Sequence, residues 1–574
     1  MKKWFAVVVV CIALLVAQPS WSFDLTLLHV NDTHSYLDTT RDKLKPEGKS
    51  TYVEMGSWAR LTSAVKQVRR ERQNVALLHA GDVIQGDLYF MKYGGQPEME
   101  FLNRLQFDAM VLGNHEFDKG PNFLIKLLQY TQVSVLSANI DAGQFPALEA
   151  QFKPYTILNF GTDKVGIIGL TTKETPTISS PGALRFEDEA ATARKYVAML
   201  ERQGVNKIVL LTHVGFGRDK ELAAKVPGVD VVVGGHSHTL LGDPATMKAL
   251  GKTPEDTYPV TVKGANGDPV YVVTAWKWAR ILGRLDVTFN KKGVITAAEG
   301  KPILLLADSF RRKNAEKKKV EVQGVEREAL LTFIRSNPMA TIVAPDAEAE
   351  VFLTPFKKGV QAMRNEVIGV ADVALPHIRE PGVDEDGQEL TQGSLIAPLV
   401  CQSMLDALAT TGEPADIALT NGGGVRESVP QGNISVGTAY TLMPFNNTLV
   451  VLTMTGAQLT KALEGGVERG DGAFPYVAGA RYSANMNLPE GSRVTSVDVM
   501  IEDGRWERVR ATRAYRVVTN SFLASGGDGY VVLKNLKSKY DTGFGDAQSF
   551  IKYVKKKKNL MPLPFSGVTY ITTK

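Results

Sequence analysis

Five of the chain's eight histidines stand in a series of short polar clusters, each placed just after a run of apolar, largely β-branched residues. In order the clusters read Asn31-Asp32-Thr33-His34, Gly81-Asp82, Gly113-Asn114-His115-Glu116 with Asp118, Thr212-His213, and Gly235-His236-Ser237-His238. The runs before them cover 25–30, 75–78, 109–112, 207–211 and 229–233. Such runs suit strands buried on both faces of a sheet. Ligand-type residues leaving several strand ends converge at one sheet edge, where open α/β folds place their sites. That is the layout of a two-metal centre.

At 574 residues the chain exceeds what one core supports, so two or three domains are expected. Its 44% hydrophobic and 22% charged residues are ordinary for a globular protein. Residues 1–22 read as an export signal: Lys2 and Lys3, an apolar stretch over 5–16, then Ser20-Trp21-Ser22 as a small-x-small cleavage site. The apolar stretch is short for a membrane span, and polar sequence follows it directly. Cleavage after Ser22 leaves 64 basic and 61 acidic residues, a formal charge of +3, which argues against a nucleic-acid polymer as partner. Cys11 lies within the leader, so Cys401 alone remains and no intrachain disulfide forms. The basic run 555–558 and a final segment without an apolar stretch argue against a membrane anchor. The expected destination is the periplasm or the medium. Nothing in the sequence indicates an oligomeric state.

The first half alternates β-like runs with amphipathic segments, and helices are expected at 55–72, 99–105, 122–129 and 190–203. Further strands are expected at 133–136, 165–170 and 270–274, so the half reads as α/β layers. Around 307–335 charge becomes dense, including Lys317-Lys318-Lys319, and a solvated helix or linker explains it better than a binding patch. The junction between the halves is placed within 320–360. The second half opens with a strand at 367–371, a helix at 395–409 and a strand at 417–420. Three landmarks come after these: Gly422-Gly423-Gly424, Met443-Pro444-Phe445-Asn446-Asn447, and Asn520-Ser521-Phe522 leading to Gly526-Gly527-Asp528-Gly529.

Asp32, His34, Asp82, Asn114, His213, His236 and His238 offer imidazole nitrogen and carboxylate or amide oxygen, as a hard-to-borderline divalent cation requires. None is a thiolate, which excludes a structural zinc finger. Seven ligands from five strand ends exceed the needs of one tetrahedral ion, and Asp82, alone on its loop, is the natural bridge between two. Two cations about 3.5–4 Å apart activate a water and steady both the attacking and leaving oxygens. Phosphate-monoester hydrolysis is among the slowest uncatalysed reactions, so concentrated positive charge is the natural remedy. His115 has a separate role. Asp118, three residues on, orients its imidazole and raises its pKa, so that it donates to phosphoryl oxygens or to the leaving group.

Each cluster alone has a plainer reading, since a histidine after a strand is more often a structural hydrogen-bonder and Asp-x-His arises by chance. Their recurrence, each at a strand end, favours the dinuclear reading. His29 and His79 sit at the wrong offset for ligands and read as supporting residues. The isolated His377 defaults to a surface or loop role.

At these clusters the chain resembles the exported 5'-nucleotidase family, which includes bacterial UDP-sugar hydrolases and animal ecto-5'-nucleotidases. Leu28-His29-Val30-Asn31-Asp32-Thr33-His34, Gly113-Asn114-His115-Glu116-Phe117-Asp118 and Gly234-Gly235-His236-Ser237-His238 match its calcineurin-like metallophosphatase half. Asn421-Gly422-Gly423-Gly424-Val425-Arg426, Pro444-Phe445 and the segment from Phe522 to Gly529 match its nucleotide-binding half. Ser35-Tyr36-Leu37, Leu88-Tyr89-Phe90, Gly472-Ala473-Phe474-Pro475-Tyr476 and Ala480-Arg481-Tyr482 are most similar to the NAD nucleotidase subgroup.

The resemblance implies an α/β protein with a four-layer αββα metallophosphatase domain at 23–325, a helical linker at 326–360 and an α/β 5'-nucleotidase domain at 361–574. It implies one metal on Asp32, His34, Asp82 and His238 and a second on Asp82, Asn114, His213 and His236, with His115 and Asp118 as the catalytic pair. The two divalent cations would be Mn, Zn, Co or Fe. In the second half it implies a nucleobase stacked between Phe445 and Phe522, ribose hydroxyls on Asp528, and Asn421 and Arg426 near base or phosphate. The chemistry of these residue types suits a nucleotide, since aromatic faces stack on any base, a carboxylate accepts from a vicinal diol, and guanidinium pairs with phosphate. Without their glycine-rich contexts, Phe445 and Phe522 would be read as core aromatics.

The chain also departs from the family. Many relatives carry two arginines shortly before the stretch matching Thr391-Gln392-Gly393-Ser394, whereas here 382–389 is acidic and Arg379 is offset. The implied activity is hydrolysis of AMP-like 5'-nucleotides in nucleotide salvage, with NAD or UDP-sugar pyrophosphates open to the same centre. Rival readings are a 2',3'-cyclic-nucleotide 2'-phosphodiesterase with 3'-nucleotidase activity, a thiosulfohydrolase, and a non-catalytic nucleotide-binding or adhesion protein. The stacking pair argues against the second rival and the intact ligands against the third.

Overall fold

In a computed structural model, residues 22–572 are described apart from 316–317, 384–388, 410–413, 446, 502–503 and 565–566. The expected export signal falls on 1–21, outside the described residues, except that Ser22 opens the first strand. Lys317, Asn446 and most of the acidic 382–389 stretch also lie outside them.

Strand Ser22–Val30 lies within a ten-stranded sheet. It runs parallel to Val75–His79, that strand to Ala109–Val111, and that one to Ser134–Leu136. On its other side it pairs antiparallel with Ile281–Asn290, which pairs in turn with Ile295–Lys313. A second sheet has the order Val260–Lys263, Pro269–Val273, Val231–Val233, Ile208–His213, Asp163–Thr171, Tyr155–Phe160.

Side-chain alternation sorts the layers. Leu25 and Leu27 join Leu78, Val111, Ile167, Val209 and Val231 in one apolar cluster. Leu28 and Val30 point the other way, into the layer formed with helices Trp58–Glu71 and Gln96–Leu105. Helices Glu189–Arg202 and Phe216–Lys225 pack on the second sheet. The result is a four-layer αββα sandwich whose parallel strands deliver their polar clusters to one edge.

Two expectations needed correction. Met55 ends strand Thr51–Met55, and the helix begins only at Trp58, because Gly56 and Ser57 turn the chain with positive φ and the Ser57 side chain caps Arg60 N–H. The charged segment is not a solvated linker throughout. Strand Ile295–Lys313 runs through its first part, with Phe310 buried while Arg311 pairs with Glu54. Helix Gly324–Ser336 then buries Leu330, Leu331 and Ile334 against Leu304, Leu306 and Phe310. Charge density alone hid this alternation. Strand Ala340–Ile342 pairs parallel with the same long strand.

Helix Ala347–Arg364 passes between the halves. Its Ala349, Leu353 and Val360 share one apolar cluster with Leu61 and Phe101 of the first half and Val436 and Ala439 of the second. The second half is built on a sheet ordered Pro475–Ala478, Ile417–Asn421, Ala514–Asn520, Thr448–Thr455, Lys539–Gly545. Strands Ile417–Asn421 and Ala514–Asn520 are parallel, so the Gly422 and Phe522 loops leave the same edge. Among the described residues no helix is long and apolar enough to cross a membrane.

Candidate metal centre and adjoining cleft

The seven ligand candidates gather as the strand ends require. Ligand atoms of Asp32, His34 and His238 lie within 4.8 Å of one another, and so do those of Asp82, His213 and His236. Asp82 Oδ2 stands 3.0 Å from His213 Nε2 and 3.8 Å from His34 Nε2, so it faces both groups. Asn114 Oδ1 is 3.2 Å from His213 Nε2. Asp32 is fully buried and Asp82 nearly so.

Asp32, His34, Asp82, His236 and His238 all adopt positive φ, between 49° and 76°. Asp and His tolerate this left-handed backbone better than most residues, yet each such position costs roughly 1–2 kcal/mol. Strain of this kind persists where the surroundings over-determine it. Asn31 supplies part of that restraint: its Nδ2 donates to Asp32 Oδ2 at 2.6 Å, while its Oδ1 accepts Ala275 N–H at 2.6 Å. A Cβ on Gly113 would collide with the Asp82 carboxylate, so this loop needs glycine.

The donor set fits cations. His34 Nδ1 faces the Gln85 carbonyl at 3.0 Å and His213 Nδ1 the Ala80 carbonyl at 2.8 Å. Those carbonyls take N–H from Nδ1, which turns a bare Nε2 inward in each neutral ring. His34 Nε2 then lies 2.9 Å from His238 Nε2 and 3.8 Å from the Asp32 carboxylate, a concentration of lone pairs that a cation relieves. Two candidate sites for divalent metal are thus present.

His115 stands apart from the ligands. Its Nδ1 is 2.7 Å from Asp118 Oδ2, and Asp118 Oδ1 accepts the Ser179 hydroxyl at 2.8 Å. Burial opposes charge on the ring, but the Asp118 and Asp82 carboxylates and the bond to Asp118 outweigh it and hold the pKa well above the ordinary value.

His29 and His79 are buried and bonded to Tyr258 and Thr33 respectively. His377 is bonded through Nδ1 to the Ser394 hydroxyl at 2.9 Å and lies beside the backbone of Gly422 and Val425.

Across the cleft, Phe445 and Phe522 are each 44% exposed, which is high for phenylalanine and sets them apart from core aromatics. The Phe522 ring lies so close to Gly527 that a Cβ there would strike it. The two phenylalanines line a cavity of about 380 Å³ together with His34, Asp82, His115 and His238. They also line an adjoining one of about 630 Å³ with Asn421, Arg426 and Asp528. Asn421 is buried with its amide committed: Nδ2 donates to Asp528 Oδ2 at 2.7 Å and to Gly472 O at 3.1 Å. It therefore orients the Asp528 carboxylate. Arg426 lies 5.6 Å from the Phe445 ring centre.

Several residues of this region escaped the sequence reading. Glu116 accepts backbone N–H groups from Asp82, Val83 and Gly113 at 3.1, 2.8 and 2.6 Å, tying two ligand loops together. Asn447 lines both cavities from the landmark that supplies Phe445. Lys277 and Trp278 also line both, and they come after strand Pro269–Val273 as the ligand clusters come after theirs, a signal that could have found them.

Comparison with known proteins agrees with this division. Residues 25–240 match the calcineurin-like phosphoesterase model, and 367–535 match the 5'-nucleotidase C-terminal domain. A probable 5'-nucleotidase of Treponema pallidum is 37% identical, over 96% of this chain and 94% of that protein. The NAD 5'-nucleotidase of Haemophilus influenzae is 34% identical over 99% and 96%. The solved NAD nucleotidase of Haemophilus influenzae has a TM-score of 0.78 at 34% identity, covering 96% of this chain and all of that one. A 5'-nucleotidase precursor from Thermus thermophilus gives 0.62 at 37% identity, again over 96% of this chain and 100% of that one. With both halves matched and the likeness running almost end to end, the chain belongs to the 5'-nucleotidase family of metallophosphoesterases.

Proposed function

We propose that the chain releases phosphate from nucleoside 5'-monophosphates, AMP-like substrates first, and that the same centre cleaves 5'-linked pyrophosphates such as NAD or a UDP-sugar. The observation that carries this reading is the shared wall: one cavity is lined by His34, Asp82, His236 and His238 and also by the exposed faces of Phe445 and Phe522. The names of the NAD nucleotidase relatives support the second substrate class.

Asp32, His34, Asp82 and His238 would hold one divalent cation and Asp82, Asn114, His213 and His236 the other, with Mn, Zn, Co and Fe all suited to these donors. When bound, such cations acidify a water and neutralise charge on phosphoryl oxygens. The chain's own groups do the rest. His115, its Nδ1 tied to Asp118, holds a proton at Nε2 for the phosphoryl oxygens or the leaving oxygen. Phe445 and Phe522 take the base between their faces, Asp528 accepts from the ribose hydroxyls, and Asn421 keeps that carboxylate in place. Arg426 stands beside Phe445 for base or phosphate. The leader-like residues 1–22 support export to the periplasm or medium.

A substrate panel tests the reading: AMP, 2',3'-cyclic AMP, NAD and UDP-glucose with chelated and Mn²⁺-reconstituted enzyme. Phosphate release from AMP that vanishes on chelation is expected. No release from AMP under either condition, or a preference for the cyclic nucleotide, would overturn it.

A further inference from the structure

Lys277 occupies the junction between the metal centre and the nucleoside pocket. Among the described residues lining the two cavities, it is the ammonium or guanidinium common to both. The other such cations of the nucleoside pocket have partners: Arg379 pairs with Asp471 at 3.0 Å, Arg469 donates to Gly465 O at 3.0 Å, and Arg426 donates to Gly423 O at 3.4 Å. Lys277 has no ion pair among the described residues; its Nζ lies 4.2 Å from the centre of the Trp278 ring.

The segment that carries it is rigid. Trp278 N–H donates to Asp32 O at 2.8 Å, and the indole stacks on Tyr36 with ring centres 4.3 Å apart. Trp276, Trp278 and Ala279 hold φ of 60°, 60° and 51°, strain that this backbone bond and stacking sustain. The backbone that carries the ammonium is therefore held against a ligand loop, and the side chain reaches the cleft from that fixed point. A half-buried ammonium without a carboxylate partner, facing a cleft, is an anion receptor, since its lost hydration is recovered when an anion arrives. The metal ligands receive the phosphoryl group to be cleaved and the phenylalanines the base. The junction between them is where a further phosphate must pass.

We propose that Lys277 binds the uncleaved phosphate of substrates with two linked 5'-phosphates, whether a nucleoside diphosphate or a dinucleotide, and so raises kcat/KM for these while leaving monophosphates little affected. The inference rests on the reading of the cleft as a nucleotide site.

The test compares wild type with Lys277→Ala and Lys277→Arg on AMP, ADP and NAD, with calorimetric binding of AMP and ADP to metal-free protein alongside. Loss of a charge-assisted bond is expected to lower kcat/KM for ADP and NAD by at least about tenfold more than for AMP. Lys277→Arg should restore most of the difference. A deficit on NAD alone would assign the residue to the dinucleotide, and one on both to the shared diphosphate. Equal losses on all three substrates, or a wild type that turns over AMP but neither ADP nor NAD, would overturn the proposal. If wild type hydrolyses nothing, the nucleotidase reading fails by itself, and the subsite is then judged by whether Lys277→Ala weakens ADP binding more than AMP binding. Thermal unfolding checks that each variant folds, with Lys277→Gln as substitute should Lys277→Ala not.

Discussion

Asp118 Oδ2 lies 2.7 Å from His115 Nδ1, while the Ser179 hydroxyl holds the other Asp118 oxygen at 2.8 Å. The imidazole is therefore fixed in rotation, with Nε2 turned to the cleft. Replacing Asp118 by Asn keeps the shape but removes the charge that supports a protonated ring. Asp118→Asn is expected to lower kcat roughly 100-fold with little change in KM. Steady-state kinetics on AMP read this directly, and an unchanged kcat would remove His115 from the chemistry.

Asp82 is placed between both ligand groups, so Asp82→Ala should abolish turnover of every phosphate ester tested and lower the bound metal measured by elemental analysis. Glu116 supports it from behind. Glu116→Ala would leave several buried N–H groups of the two loops without an acceptor, costing about 3 kcal/mol or more of stability. Metal affinity should fall roughly 10–100-fold. Full metal content at sub-saturating concentration would contradict the positioning role.

Phe522→Ala removes one face from the base clamp. Stacking is worth about 1–3 kcal/mol per base, so KM for AMP should rise about tenfold or more. Turnover of p-nitrophenyl phosphate, which carries no nucleobase, should change little. Matching losses on both esters would show the ring to be structural.

Glu98 gives a pH signature away from the cleft. It is buried, and that burial outweighs the neighbouring Ser35 hydroxyl and pushes its pKa up from 4.5 to about 7. A folded-state pKa above the unfolded value means that the stability tied to this group is whole below about pH 4.5 and drains away as pH rises through about 7. Between pH 5 and 8 the wild type should lose about 2–3 kcal/mol more than Glu98→Gln, which cannot ionise. Urea unfolding at the two pH values measures the difference, and parallel losses would mean that Glu98 is not kept neutral by the fold.

Much of the centre was legible because parallel strands impose a simple rule: residues just after an apolar run end up at one edge. That rule located Asp32, His34, Asp82, Asn114, His213, His236 and His238 without knowledge of how the strands are ordered. It failed where tertiary contact decides. The tie that Glu116 makes to the other loop is invisible in its cluster, since the Asp82 and Val83 N–H groups lie more than thirty residues away. Lys277 and Trp278 belong to a loop with no histidine or carboxylate to draw notice. The bond from Asn421 Nδ2 to Asp528, 107 positions later, is likewise invisible in the local sequence. The strand through Phe310 was obscured by neighbouring charges whose partners come from other elements, Arg311 pairing with Glu54 of an adjacent strand and Asp308 with Arg327 of the following helix.

Helix Ala347–Arg364 is counted in the interior of both halves at once, with Leu353 and Val360 shielded by residues from either side. A cut through the polypeptide on either flank would strand this element with a wet, oily stripe and leave its former neighbours uncovered. The two halves are thus better regarded as co-tenants of one wall than as modules to be swapped among relatives, and any chimera has to carry that wall along with whichever side it borrows.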